Sequence, residues 1–332
     1  MSVLHNPHPP LQSLSAEAIG SFPYSTYGWR HIRVVLGGDE ANKSSQSGAE
    51  PSDGVLLVLL NRPDRANAYT AQMCHDLVFV FELADRDPRV KVVVLTGAGK
   101  AYCAGADLSG ASGGGFGADA DIAADHRDGG GQAGLSIAKC RKLVIAAVNG
   151  NAVGIGLTMV LSTDLRLVAA NAKVGIPFVK RGISMEATSS YLLPRLVGHS
   201  NALKISMTGD TYRADDPTWR DLWYNVLPAE QVLPEALKLA GRLAVDNSVI
   251  SMALNKALIW QCPPTREETH LLESKMIWEA SKRDAQEGVL SFMQKRKPKF
   301  EGTVEDVETF NGYPWWTEAD LTGKKTRGLA KL

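Results

Sequence analysis

Cysteine is scarce in this 332-residue chain, and the four present, Cys74, Cys103, Cys140 and Cys262, are scattered. They form no CxxC pair and no metal-ligand spacing, which argues against a disulfide scaffold and for a reducing compartment. The seven histidines make no HExxH, so no structural or catalytic metal is expected. No run of roughly 18 apolar residues occurs, so no membrane-spanning helix is predicted. The amino terminus has neither the basic start nor the compact apolar core of a signal peptide. Charge of one sign is also missing. The 36 basic residues balance 36 acidic ones, leaving no global field that points to nucleic acid or an anionic membrane.

What is present is an ordinary globular composition, 44% apolar and 22% charged. Residues 1–27, polar with Pro and Ser, are expected to be irregular. Strands are predicted at 31–36, 55–60, 90–95, 143–148 and 165–169. Thr70 can cap a helix whose apolar positions Met73, Leu77, Val80, Phe81 and Ala84 recur at helical spacing. The Gly-rich segment 109–134 reads as a loop with at most a short helix. A helix is expected to start at the glycine cluster of 154–163. From about residue 187 the pattern is mostly helical, with segments at 200–208, 231–245, 248–259, 265–283 and 286–296. Thr265 and Glu268 have capping-box spacing. Strands alternating with helices, then helices alone, predict an α/β fold with a helical C-terminal layer.

Two glycine-containing turns follow buried strands. One is Ala104-Gly105-Ala106-Asp107-Leu108, after VVVLTG. The other is Asn149-Gly150-Asn151-Ala152-Val153-Gly154-Ile155-Gly156, after LVIAAV. Each alone is readable as a tight structural turn or a close helix-to-sheet contact. Each could also present free backbone N–H groups to a developing oxyanion, the second with help from a helix N-terminus.

Together the two motifs resemble the crotonase (enoyl-CoA hydratase/isomerase) superfamily. So do Leu60-Asn61-Arg62-Pro63 with Asn67-Ala68, Thr163-Asp164, and Asp284-Ala285-Gln286-Glu287-Gly288 followed by Phe292 and Lys295-Arg296-Lys297. The match spans roughly residues 28–300. The resemblance implies a spiral of ββα units over 28–245, with a C-terminal helical region over 246–300 that covers coenzyme A and joins subunits. It implies a homotrimer or a pair of trimers. It also implies that an acyl-CoA thioester is the substrate, with no separate cofactor. By motif position the thioester oxygen would be held by the backbone N–H groups of Ala104 and Ile155. Arg65, Ala66, Ala68, Gly105, Ala106, Asp107 and Leu108 would line the coenzyme A site. Lys295 and Lys297 would approach its phosphates, or else simply end a helix in solvent.

The two glutamates typical of hydratases are replaced by Thr158 and Phe178, neither of which shuttles a proton near neutral pH. A carboxylate occurs later, at Glu186, where isomerases of the superfamily carry their single glutamate. It reads either as the catalytic base or as a helix N-terminal carboxylate favoured by the dipole. Met185 and Ile183 would help to desolvate it and raise its pKa. The implied activity is movement of a Δ3 double bond to Δ2. Hydration of a 2-enoyl-CoA by Glu186 and one water is an alternative, and a non-catalytic acyl-CoA-binding subunit another. The tail 301–332 ends Ala330-Lys331-Leu332, close to a peroxisomal address, which implies an import receptor as partner and a peroxisomal location, with the cytoplasm as the alternative.

Overall fold

The run Val55–Leu60 is apolar at every position, and every one of its residues is buried. A strand covered on both faces needs such a run, and parallel sheets are built from them. In the computed structural model, which describes residues 6–38, 50–109, 126–319 and 321, it is the second strand of a six-stranded sheet.

The chain opens with a 3-10 turn at Leu11–Ser13 and helix α1 (Ala16–Gly20), then β1 (Ile32–Leu36), β2 (Val55–Leu60), α2 (Ala71–Arg86) and β3 (Val92–Gly97). Next come α3 (Gly129–Lys139), β4 (Leu143–Val148), β5 (Ala152–Val153), α4 (Ile155–Thr158), β6 (Leu165–Ala169) and β7 (Lys173–Gly175). The remainder is α5 (Ser189–Val197), α6 (His199–Thr208), β8 (Thr211–Arg213), β9 (Asn225–Leu227), α7 (Ala229–Asp246), α8 (Val249–Trp260), α9 (Arg266–Ser281), α10 (Asp284–Met293) and α11 (Val304–Glu308). The main sheet has the order β1-β2-β3-β4-β6-β9, parallel throughout except for the antiparallel β1–β2 pair. A smaller sheet has the order β5-β7-β8. Helix α7 packs on β2, β3, β4 and β6. The loops at 61–69, 98–109 and 149–154 leave the carboxyl ends of β2, β3 and β4, where open parallel sheets place their ligands.

Buried apolar residues form two clusters, one running from Leu11 to Ala244 and one from Val249 to Phe310. The second takes in Val304, Val307 and Phe310, so packed structure continues past residue 300. Among the described residues no helix is long and apolar enough to cross a membrane.

Three local expectations are corrected. The described part of 1–27 is not irregular. His8, Phe22, Tyr24 and Tyr27 pack with Trp29 and Phe79, and the His8 ring stacks on Phe79 at 4.6 Å. Within the Gly-rich segment, residues 110–125 lie outside the described residues, but a three-turn helix, α3, starts at Gly129. Asp128 caps it through the Gly131 N–H, and α3 packs on α2, burying Ala133 and Ile137, so tertiary packing overrides the low helix propensity of glycine. The helix expected over 154–163 is only the single turn α4, followed by a 3-10 turn at Val160–Ser162. Thr70 does cap α2, accepting from the Met73 N–H, and Thr265 accepts from the Glu268 N–H. Ala330-Lys331-Leu332 lies outside the described residues.

Candidate active site

Two strand-like segments run side by side beyond the sheet. Cys103 donates its N–H to the Asn151 carbonyl at 3.0 Å, and Val153 donates to the Cys103 carbonyl at 3.1 Å. The contact is close because Gly156 has no Cβ. One built there would sit 2.3 Å from the Cys103 carbonyl oxygen. On the other side the loop after β2 lies along the same segment. Ala104 donates to the Ala66 carbonyl at 3.0 Å, Tyr69 to Gly105 at 2.8 Å, and Asp107 to Tyr69 at 2.8 Å.

This pairing corrects the oxyanion assignment. The Ala104 N–H is already committed to Ala66 and is not a free donor. The N–H groups of Ala106 and Ile155 have no hydrogen-bond partner among the described residues. Two unpaired N–H groups on adjoining segments are available to a ligand oxygen, the Ile155 one as the first N–H of a helix. The motif has an alanine on each side of Gly105, and the ladder with Tyr69 decides which one is left over. Ile155 keeps its expected place, at the start of α4 behind Gly154.

Glu186 lies in the turn before α5. Its carbonyl accepts from both the N–H and the hydroxyl of Ser189, at 2.9 and 2.5 Å. Ala187 and Thr188 are left-handed, with φ of 52° and 56°. Non-glycine residues held so are a local strain that the surrounding structure must support. The carboxylate points toward α3 and α4. Oε1 accepts from the Thr158 hydroxyl at 2.5 Å. Oε2 rests against Gly130. A Cβ built there would lie 1.7 Å from Oε2 and 2.7 Å from the Ile155 Cδ1, so the glycine is what admits the base beside the Ile155 turn. Burial pushes the Glu186 carboxyl up to about 7, the Thr158 bond opposes this, and the nearby Asp128 charge adds to it. A base poised there suits proton transfer near neutral pH.

The other expected residues divide. Ala66, Ala68, Gly105 and Ala106 lie together in the paired loops. Asn67, fully buried, bonds the Arg62 N–H and the carbonyls of Ala98 and Ala101, which fixes the loop shape. Asp107 binds Arg62 at 2.8 Å and accepts from Ser109. The Ser109 and Arg62 contacts hold its carboxyl well below the usual range. That makes Asp107 a loop anchor. Arg65 and Leu108 are exposed at the rim. Lys295 and Lys297 are exposed at the end of α10, with no side-chain partner among the described residues and no contact to these loops. Met185 and Ile183 are half-buried beside Glu186, and Phe178 lies close to Gly154. Burial pushes the Cys103 thiol up to about 12, so it is no nucleophile at neutral pH. Among the described residues no group of three His, Cys, Asp or Glu side chains could hold a metal.

The sequence alone does not single out Gly130, the Thr158 contact to Glu186, or Asp128. Asp128 carried a signal. It precedes Gly129 as an N-cap would, and Ala133 and Ile137 behind it have helical spacing.

A fold of mostly parallel strands with a helical C-terminal region, and a carboxylate set beside the turn at Ile155, point to an enzyme of the acyl-CoA class. The sequence profile of the Enoyl-CoA hydratase/isomerase family matches residues 50–303, and the chain belongs to that family, the crotonase superfamily. It is 38% identical over 290 residues to the enoyl-CoA hydratase AFT3-1 of Alternaria alternata, covering 87% of this chain and 92% of that one. It is 31% identical to the 1,2-epoxyphenylacetyl-CoA isomerase of Escherichia coli, covering 75% and 95%. The solved enoyl-CoA hydratase of Bacillus anthracis superposes with a TM-score of 0.69 at 27% identity, covering 82% and 100%. The chain is a crotonase-type enzyme of the crotonase fold.

Proposed function

We propose that the enzyme moves the double bond of a 3-enoyl-CoA to the 2-position. The observation that carries this reading is the poised carboxylate of Glu186 beside the Ile155 turn. Glu186 bonds Thr158, and by the family resemblance Thr158 and Phe178 stand where hydratases carry their two acids. Glu186 removes a proton from C2 of the thioester. The dienolate oxygen is received by the N–H groups of Ala106 and Ile155, and Glu186 returns the proton at C4. Removal and return on one face need only one carboxyl group. A positioned base contributes about 10²–10⁴ in rate and an oxyanion donor about 10²–10³.

A second reading, hydration of a 2-enoyl-CoA, is favoured by the name of the 38%-identical Alternaria relative. The two separate by kcat/KM on 3-enoyl-CoA and 2-enoyl-CoA, each in wild type and in Glu186→Gln. Isomerisation is expected to dominate and to fall roughly 10²–10⁴-fold in the variant. Dominant hydration in wild type would reject the isomerase reading, and an active variant would reject Glu186 as the base.

The same reading includes a trimer or pair of trimers. It is supported by the apolar side chains that α8, α9 and α10 leave exposed, among them Ile259, Leu271, Ile277, Trp278, Val289 and Phe292. Sedimentation is expected to give a multiple of three chains, and a monomer at micromolar concentration would remove this part.

A further inference from the structure

The carboxylate of Asp128 stands between two elements that meet at Glu186. Its Oδ1 accepts from the Gly131 N–H at 2.5 Å, capping α3, and from the Ala187 N–H at 3.4 Å, in the turn directly behind Glu186. Gly130, against which the Glu186 carboxylate rests, lies between the cap and the capped residue. We propose that Asp128 is a positioning residue for Glu186: it ties the start of α3 to the turn that carries the base, and its negative charge adds to the burial that keeps the base protonated. The inference rests on the reading of Glu186 as the base.

The tie has a geometric consequence. Ala187 is in the left-handed region, and the donor it turns toward α3 is the one Asp128 accepts. Without that acceptor the turn loses its tie to the start of α3, and the Thr158 bond is left to hold the Glu186 carboxylate beside Gly130. The charge has an electrostatic consequence. A second anion beside a carboxylate disfavours ionisation of the first. The other titratable groups near Glu186 are Tyr69 and Cys103, and Cys74 lies near Asp128. Burial holds the phenol and both thiols protonated and neutral at working pH, and Thr158 is an uncharged donor. Among the described residues, Asp128 is thus the charged group that acts on Glu186.

Asp128→Asn and Asp128→Ser keep an N-cap acceptor and remove the charge, and Asp128→Ala removes both. In Asn and Ser variants the acidic limb of kcat/KM is expected to move down by about half a pH unit or more. In the Ala variant the limb is expected to move likewise and the plateau kcat to fall about tenfold, with the Asn variant restoring most of that plateau. NMR titration of ¹³C-labelled glutamate carboxyls, assigned with Glu186→Gln, reads the same midpoint without turnover, so a folded Asn or Ser variant suffices. An unmoved midpoint in those variants, with Glu186→Gln inactive, would overturn the role of Asp128 and leave Glu186 in place. An active Glu186→Gln would overturn both.

Discussion

Asp76 and Glu186 are both carboxylates set into the body of the protein, and they are treated in opposite ways. Asp76, on α2, is completely buried yet fully served. It accepts from the His31 N–H, from Gln72 and from the His8 ring, each at 2.8 Å. Burial pushes its carboxyl up, but these bonds outweigh burial and leave it below the ordinary value. Glu186 is less buried and has one hydroxyl for company, with another carboxylate nearby, and its pKa goes up to about 7. Asp76 has three donors and Glu186 one, and the added donors are what bring the Asp76 carboxyl down. The same contrast holds in the backbone, where the Ala104 N–H is paired and the Ala106 N–H, two residues on, is not. Satisfied groups hold the fold, and under the proposed mechanism the unsatisfied ones are left for the substrate.

The largest expected effect tests the backbone half of this contrast. Ala106→Pro removes an N–H that makes no hydrogen bond among the described residues, so it should cost about 10²–10³ in kcat with little loss of stability. Ala104→Pro removes a donor that ties two loops together and should destabilise instead. Thermal melts beside kinetics distinguish them. Equal kinetic losses per folded molecule would mean that the ladder with Tyr69 does not choose the donor.

The next effect tests the side-chain half. Asp76→Ala leaves the His8 ring, the His31 N–H and Gln72 without their acceptor. The expected cost is about 2–3 kcal/mol of stability. Activity per folded molecule should be unchanged, since Asp76 touches none of the residues around Glu186. Urea unfolding and active-site-normalised rates measure the two quantities. A loss of kcat at unchanged stability would break the division.

How much of this was legible in the sequence follows the same line. Strands β2, β4 and β6 were found at their bounds because continuous apolar runs fit little else. The strand expected at 90–95 lies at Val92–Gly97, since Val90 is buried as part of the turn before it. Helix α3 was hidden because three glycines argue against a helix, and only its burial against α2 overturns that argument. The order in residues 6–29 was hidden because a Pro- and Ser-containing segment gives no periodicity. What orders it is a cross-chain bond from His8 to Asp76, 68 residues away. In the site, Glu186 is singled out by its family position, and its catalytic role belongs to the proposed function. The choice between Ala104 and Ala106 was not available, because it depends on which N–H a distant loop consumes.

The smallest effect is the most direct test of the idea that Glu186 is left wanting. Its folded pKa of about 7 lies above the ordinary value of 4.5. Between these values the native state binds more protons than the unfolded chain. Stability therefore falls as pH rises through that window and stays low above it. Glutamine has no charge to desolvate, so Glu186→Gln should escape the loss. The site is partly open to solvent, so the gain is taken as only about 1 kcal/mol, or roughly 2–4 °C in Tm, at pH 8. Near pH 4 the glutamate is protonated and the two proteins should melt together. The inactive enzyme would then be the more stable one at the pH where the active enzyme works, as expected when a strained group is kept for chemistry. A Tm difference that is the same at pH 4 and pH 8 would show that the carboxylate is not penalised by its surroundings, and the contrast with Asp76 would fail.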